Sequence, residues 1–330
     1  MIIFSSLMVV VLTAGLTLNM MISAKLSVPA DGVRYTVIAG DNLHRIAADL
    51  SAKGYIKNPK LLTLYAKITG QGKKLSVGTF YLPYGTTLKE LPAILSSSKT
   101  EQLAVTFPEG LWITEMAERL DAVFPGLGTE YMNETLNNIA KYQQRFPELN
   151  IPDDSMEGFC YPDTYHFPYN VDAEMVVMSQ LKQFKTVCWS EWEKSPSANG
   201  LGFYDTLKLA SLVEGEARLA SEGADIAGVY INRLNTKGWR MECDATIIYA
   251  KGERVKRVLY ADLKIDSPYN SYTNAGLPPT PINNPGAASF YAALHPNKTE
   301  YYFYFAKGDG SHVFARTFAE HNENIRKYRK

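Results

Sequence analysis

The segment Thr206 to Arg218, TLKLASLVEGEAR, carries two glutamates in a stretch whose composition is that of a helix. Successive helical residues turn by about 100°. Leu209, Leu212, Val213 and Glu216 then share one stripe, at i, i+3, i+4 and i+7. Glu216 takes the place where that pattern asks for another leucine. A carboxyl group projecting from an apolar face is desolvated, which raises its pKa and keeps it protonated closer to neutrality, as a general acid requires. Glu214, two positions earlier, points roughly 200° away. It stands four residues before Arg218 and reads as a surface ion pair worth a few tenths of a kcal/mol. The competing reading of Glu216 is a helix-end carboxylate turned to solvent. Gly215 speaks against it, because a helix interior tolerates glycine poorly without a reason such as close approach.

Other chemistries lack their residues. No G-x-G-x-x-G follows a strand, and Gly70-Gln71-Gly72-Lys73-Lys74 lacks the P-loop spacing. H-E-x-x-H and G-x-S-x-G are missing. The five histidines are scattered; His312 and His321 are close in sequence but form no recognisable metal motif. No metal and no cofactor is expected. Lys plus Arg (34) equals Asp plus Glu (34), so nothing points to nucleic acid. The 21 tyrosines suit a sugar-binding groove, and core packing equally. Cys160, Cys188 and Cys243 are odd in number and fit neither a zinc site nor a redox motif, so three reduced, partly buried thiols are expected.

The elements that must position Glu216 follow from pattern. Residues 1–24 are apolar or small from Ile2 to Ala24, long enough for a membrane-spanning anchor, with no charge before Lys25 to set its orientation. Residues 25–34 read as a linker. Residues 35–98 read as a small α/β module, with Val33–Ile38 and Gly78–Leu82 as strands and Leu43–Lys53, Pro59–Thr69 and Thr87–Ser96 as helices. Asn42 is the expected cap of the first helix. Residues 99–330 form a mixed, helix-rich domain that ends in an aromatic strand pair. Its Pro/Gly/Asn-rich segment, Ser267 to Gly286, is too long for a plain connection and reads as functional. The fold class is therefore α+β behind an N-terminal membrane helix.

Several motifs in register then resemble one family. ASLVEGEA (210–217), AGVYINRL (227–234), DATIIYA (244–250), SPYNSYTNAGLPPTPINNPG (267–286), AALHPNKTEYYFYFAKGDGSHVF (292–314) and EHN (320–322) all match, with FPEG (107–110) and EGFCYPDTYHF (157–167) upstream. The chain resembles the endolytic murein transglycosylases of the MltG (YceG-like) family from about Tyr35 to its C-terminus. The turn AGDNLHRIA also resembles the opening of a LysM-like module. The chain departs from the family where Gln, a small residue, Asp and Pro are usual: it has Glu242, Cys243, Asp244 and Ala245.

The resemblance implies Glu216 as the single acid/base of a lytic transglycosylase that cuts the MurNAc–GlcNAc bond and leaves 1,6-anhydroMurNAc ends. It points to Asp244, Tyr269, Asn270, Tyr272 and Asn284 as substrate-binding candidates, each with a plainer role as cap, packing or turn former. Glu157 and Asp163 read as structural, and Glu109 as a turn residue. The implied setting is the inner (cytoplasmic) membrane, a single pass with the catalytic part on the periplasmic or extracytoplasmic side. Peptidoglycan strands are the implied substrate and peptidoglycan synthases the implied partners. Two alternatives stay open: a muramidase-type hydrolase using Glu242 or Asp244 as second carboxylate, and a non-catalytic cell-wall-binding scaffold.

Overall fold

The computed structural model describes residues 13, 15–72, 74–97 and 100–329. Most of the apolar run expected as an anchor lies outside them. Among the described residues no helix is long and apolar enough to cross a membrane.

The chain divides into two compact units, one of residues 1–104 with 166–171, the other of 105–165 with 172–330. In the first, β1 (Val33–Val37) pairs antiparallel with β2 (Gly78–Leu82), Val33 opposite Leu82. Alternation turns Tyr35, Val37, Phe80 and Leu82 inward. Asn42 caps α1 (Leu43–Ala52), as expected, accepting from the Arg45 N–H at 3.0 Å, and the helix buries Ile46, Ala47 and Leu50. Asn58 caps α2 (Pro59–Thr69), which Gly70 ends in a left-handed conformation.

Helix α3 covers only Leu91–Leu95, not Thr87–Ser96. The Glu90 carboxylate accepts from both the backbone and the hydroxyl of Thr87, closing residues 87–90 into a turn that competes with the helix. The stretch read as a linker is also corrected. Leu26 and Val28 are buried in this unit's core, and the N–H groups of Leu26 and Ser27 donate to the carbonyls of Thr86 and Tyr55.

The chain leaves the first unit within β3 (Gln102–Thr106) and re-enters it briefly through β4 (Thr164–Pro168). The second unit comprises α4 (Ile113–Val123), α5 (Leu127–Asn137), α6 (Ile139–Arg145), α7 (Ala173–Phe184), α8 (Ser190–Lys194), α9 (Phe203–Glu216), α10 (Gly223–Asn235), α11 (Asp244–Lys251), α12 (Ala287–Leu294), the antiparallel pair β5 (Phe303–Ala306) and β6 (His312–Ala315), and α13 (Phe318–Tyr328). A π-helical turn, Lys185–Trp189, joins α7 to α8.

Helix α9 starts three residues before the expected Thr206 and stops at Glu216 instead of Arg218. Thr206, Leu207 and Leu209–Val213 are all buried, so the helix is enclosed on nearly every side rather than along one stripe. It packs on α10, α11 and α12 and forms the centre of the unit. The segment Ser267–Gly286 has no regular structure; side chains satisfy its backbone instead. The Ile282 N–H donates to the Ser211 hydroxyl, and the Asn283 amide to the Ser211 carbonyl.

Candidate active site

Glu216 is the last residue of α9, and the glycine before it is explained by its neighbour. A β-carbon on Gly215 would stand 2.6 Å from that of Ala245 at the start of α11. The two helices thus meet more closely than any side chain at 215 permits. This contact presents Glu216 beside Cys243 and Asp244, the residues that open α11.

The Glu216 Oε1 accepts a hydrogen bond from the Cys243 thiol at 3.2 Å. Part of the side chain reaches a cavity, while protein atoms crowd the carboxyl group itself, and that crowding governs its charge. Desolvation pushes its pKa up and the negative charge of Asp244 adds to the rise. The Cys243 thiol, the Ala245 N–H and the Tyr304 hydroxyl pull the other way without reversing it. A helix C-terminus also disfavours a negative charge. The desolvation expected from sequence is present, with the residues that open α11 and Tyr304 of β5 set around the carboxyl group.

The cavity has a volume of about 600 Å³, within the usual range for ligand pockets. Glu216, Asp244 and Tyr272 line it together, with Glu242, Arg233 and Tyr304. The Tyr272 hydroxyl donates to Asp244 Oδ1 at 2.7 Å, which fixes both groups on the wall. Glu242 holds a left-handed backbone conformation (φ 48°), uncommon for a residue with a side chain.

The other three candidates are elsewhere. The Tyr269 hydroxyl bonds to that of Thr280 at 2.9 Å, and its ring packs edge-on to Tyr249. Asn270 is fully buried and donates to the carbonyls of Leu263 and Ile265. Asn284, also fully buried, accepts from the N–H groups of Gly158 and Cys160 and donates to the Leu111 carbonyl and to Glu157. These three brace the long segment and do not line the cavity.

Glu157 is only 5% exposed, and burial pushes its pKa up to about 8 against the bonds from Ile113, Tyr249 and Asn284. It holds FPEG, EGFCY and INNPG together through Asn284, the structural part expected of it. Glu214 is a correction. It does not pair with Arg218; its Oε2 accepts from the Gly286 N–H at 3.0 Å, where α12 begins. Burial and the nearby Glu109 raise its pKa. The second unit wraps the face of α9 that the stripe argument left to solvent. The three cysteines are buried and unpaired, as expected.

Sequence reasoning missed Arg233 and Tyr304. Arg233 is the lone charge within the GVYINRL stretch, a signal available in the sequence. Tyr304 sits in the aromatic run YYFYF and is indistinguishable there from a packing residue. Its hydroxyl bonds to that of Tyr230 at 2.7 Å.

Known proteins resemble this chain along most of its length. An endolytic murein transglycosylase of Bacillus subtilis is 33% identical over 315 residues, covering 90% of this chain and 84% of that protein. One of Streptococcus pneumoniae is 25% identical over 330 residues; the match covers 91% of this chain but 59% of the pneumococcal protein. The crystal structure of a yceG-like protein from Listeria monocytogenes superposes with a TM-score of 0.63 at 28% identity, over 90% of this chain and all of that one (100%). The YceG-like family matches residues 35–327, and the chain belongs to that family.

Proposed function

We propose that this chain is an endolytic peptidoglycan lytic transglycosylase in which Glu216 alone serves as acid and base. The observation that carries the reading is a glutamate with raised pKa on the wall of an open cavity. Its relatives named as endolytic murein transglycosylases supply the substrate class.

The protonated Glu216 donates to the oxygen between MurNAc C1 and GlcNAc as that C1–O bond breaks. The resulting carboxylate then takes the proton of the MurNAc C6 hydroxyl as its oxygen bonds to C1. The product ends in 1,6-anhydroMurNAc, Glu216 regains its proton, and no water, metal or cofactor enters. Asp244, oriented by Tyr272, supports the positive charge developing at the ring. Tyr269, Asn270 and Asn284 act by holding the segment that carries Tyr272.

The remaining parts of the reading concern setting. Residues 1–24 anchor the chain in the inner (cytoplasmic) membrane with the second unit on the extracytoplasmic side, where nascent strands meet the synthases. The first unit is a LysM-like module. Support comes from the apolar run and from the AGDNLHRIA turn ahead of α1.

Hydrolysis of the same bond is the second reading, because Asp244 and Glu242 line the cavity with Glu216 and hydrolysis requires a second carboxylate. Borohydride treatment of the products separates the readings. Anhydro ends resist reduction and support the transglycosylase; reducible muramic ends make the protein a muramidase; binding without cleavage leaves a scaffold.

A further inference from the structure

Arg233 is an arginine without a counter-ion among the described residues. It is only 5% exposed, yet it lines the cavity. Its Nε donates to the Tyr302 carbonyl at 2.9 Å and its Nη1 to the Met241 carbonyl. Two of the five N–H donors of a guanidinium are thereby used. The rings of Phe303 and Tyr304 each lie 6.0 Å from its central carbon. Among the described residues no carboxylate comes within ion-pair distance of it. Glu242 shares the wall without reaching it.

Arg257 and Arg329 stand exposed on the same cavity and also form no ion pair among the described residues. A buried, unpaired charge is costly, and its place on a cavity wall points to an anion supplied from outside. The planar guanidinium suits a carboxylate in particular.

We infer that Arg233, with Arg257 and Arg329, forms a subsite for a carboxylate carried by the muramyl residue, so that the cavity selects glycan by the charge of its substituent. The inference rests on the reading of the cavity as a peptidoglycan site. The sugar rings are neutral; the anion is on the muramyl side group, either in the peptide stem or, once the stem is removed, on the lactyl group itself.

The test uses the full-length chain and three soluble glycans: one bearing stems, one stripped of them with the lactyl carboxylate free, and one stripped with that carboxylate converted to an amide. With the wild-type chain, KM on the amidated glycan is expected about ten-fold above KM on the charged glycan that the subsite fits. A low KM on stem-bearing glycan alone assigns the stem, a low KM on the stripped charged glycan alone assigns the lactyl group, and a low KM on both assigns a subsite that takes either carboxylate. In the Arg257→Gln/Arg329→Gln double variant, whose positions are exposed, that ratio falls toward one; in Arg233→Gln it falls likewise, with the melting temperature measured alongside. Equal KM on all three glycans with the wild-type chain, or an undiminished ratio in the double variant, overturns the inference while the transglycosylase reading stands. Cleavage of none of the three brings down that reading and the subsite with it.

Discussion

The Cys243 thiol donates to Glu216 Oε1 across 3.2 Å, joining the residue that opens α11 to the residue that closes α9. A donor to the carboxyl oxygen favours the charged form and so lowers the pKa of Glu216 against the rise imposed by burial. Cys243→Ala removes that opposition, and the pKa moves further up. The first step needs protonated Glu216, so the alkaline limb of kcat/KM shifts to higher pH in Cys243→Ala. Cys243→Ser keeps a donor and stays nearer to wild type. A pH–rate profile checks this; an unmoved limb in the alanine variant refutes the coupling.

Gly215 gives a prediction whose sign depends on competing magnitudes. Alanine in place of glycine favours a helix by about 1 kcal/mol. Here its β-carbon would stand 2.6 Å from that of Ala245, and overpacking of this kind costs about 1–3 kcal/mol. Gly215→Ala is therefore expected to lower the melting temperature and to slow turnover by displacing Glu216. Adding Ala245→Gly should recover part of both. A melting temperature above wild type in the single variant would show that α11 yields.

Glu214 is expected to matter for stability. Glu214→Ala leaves the Gly286 N–H without its partner, at a cost of about 1–3 kcal/mol. Arg218→Ala removes an exposed side chain that Glu214 does not use and should change stability by less than about 0.5 kcal/mol. Chemical denaturation of the two variants decides the matter. Equal losses would restore the surface ion pair.

The pH dependence of stability has a named source in Glu157. Its pKa rises from 4.5 to about 8 on folding, because burial outweighs its hydrogen bonds. A group that holds its proton more tightly when folded contributes most below its unfolded pKa, and that contribution is lost as pH climbs to the folded value. The loss runs from about pH 4.5 to 8 and amounts to several kcal/mol. Glu157→Gln should flatten the stability curve of the second unit across that window. Calorimetry at closely spaced pH values tests it, and an unchanged slope argues against Glu157 as the source.

Much of this was legible in the sequence where the signal is local. Asn42, Pro59 and Gly78–Leu82 mark their elements correctly because capping and strand alternation act over a few residues. The position of Glu216 followed from helical spacing. Its environment did not, because α9 is enclosed on nearly all sides and a stripe argument sees only one. Glu214 was misread for the same reason: its partner, Gly286, is 72 residues away. Asn270 and Asn284 share a Pro/Gly/Asn-rich segment with Tyr272, and composition cannot say which side chains face the cavity and which brace the backbone.

The central claim, that Glu216 carries the chemistry, meets its most direct test in one comparison. Purified peptidoglycan is treated with the full-length chain and with its Glu216→Gln form, and the products are read by mass spectrometry. The account predicts 1,6-anhydromuramyl ends from the first, and from the second, folded to the same melting temperature, a rate lower by a factor on the order of 10²–10⁴. Anhydromuramyl ends released at the wild-type rate by Glu216→Gln would contradict it.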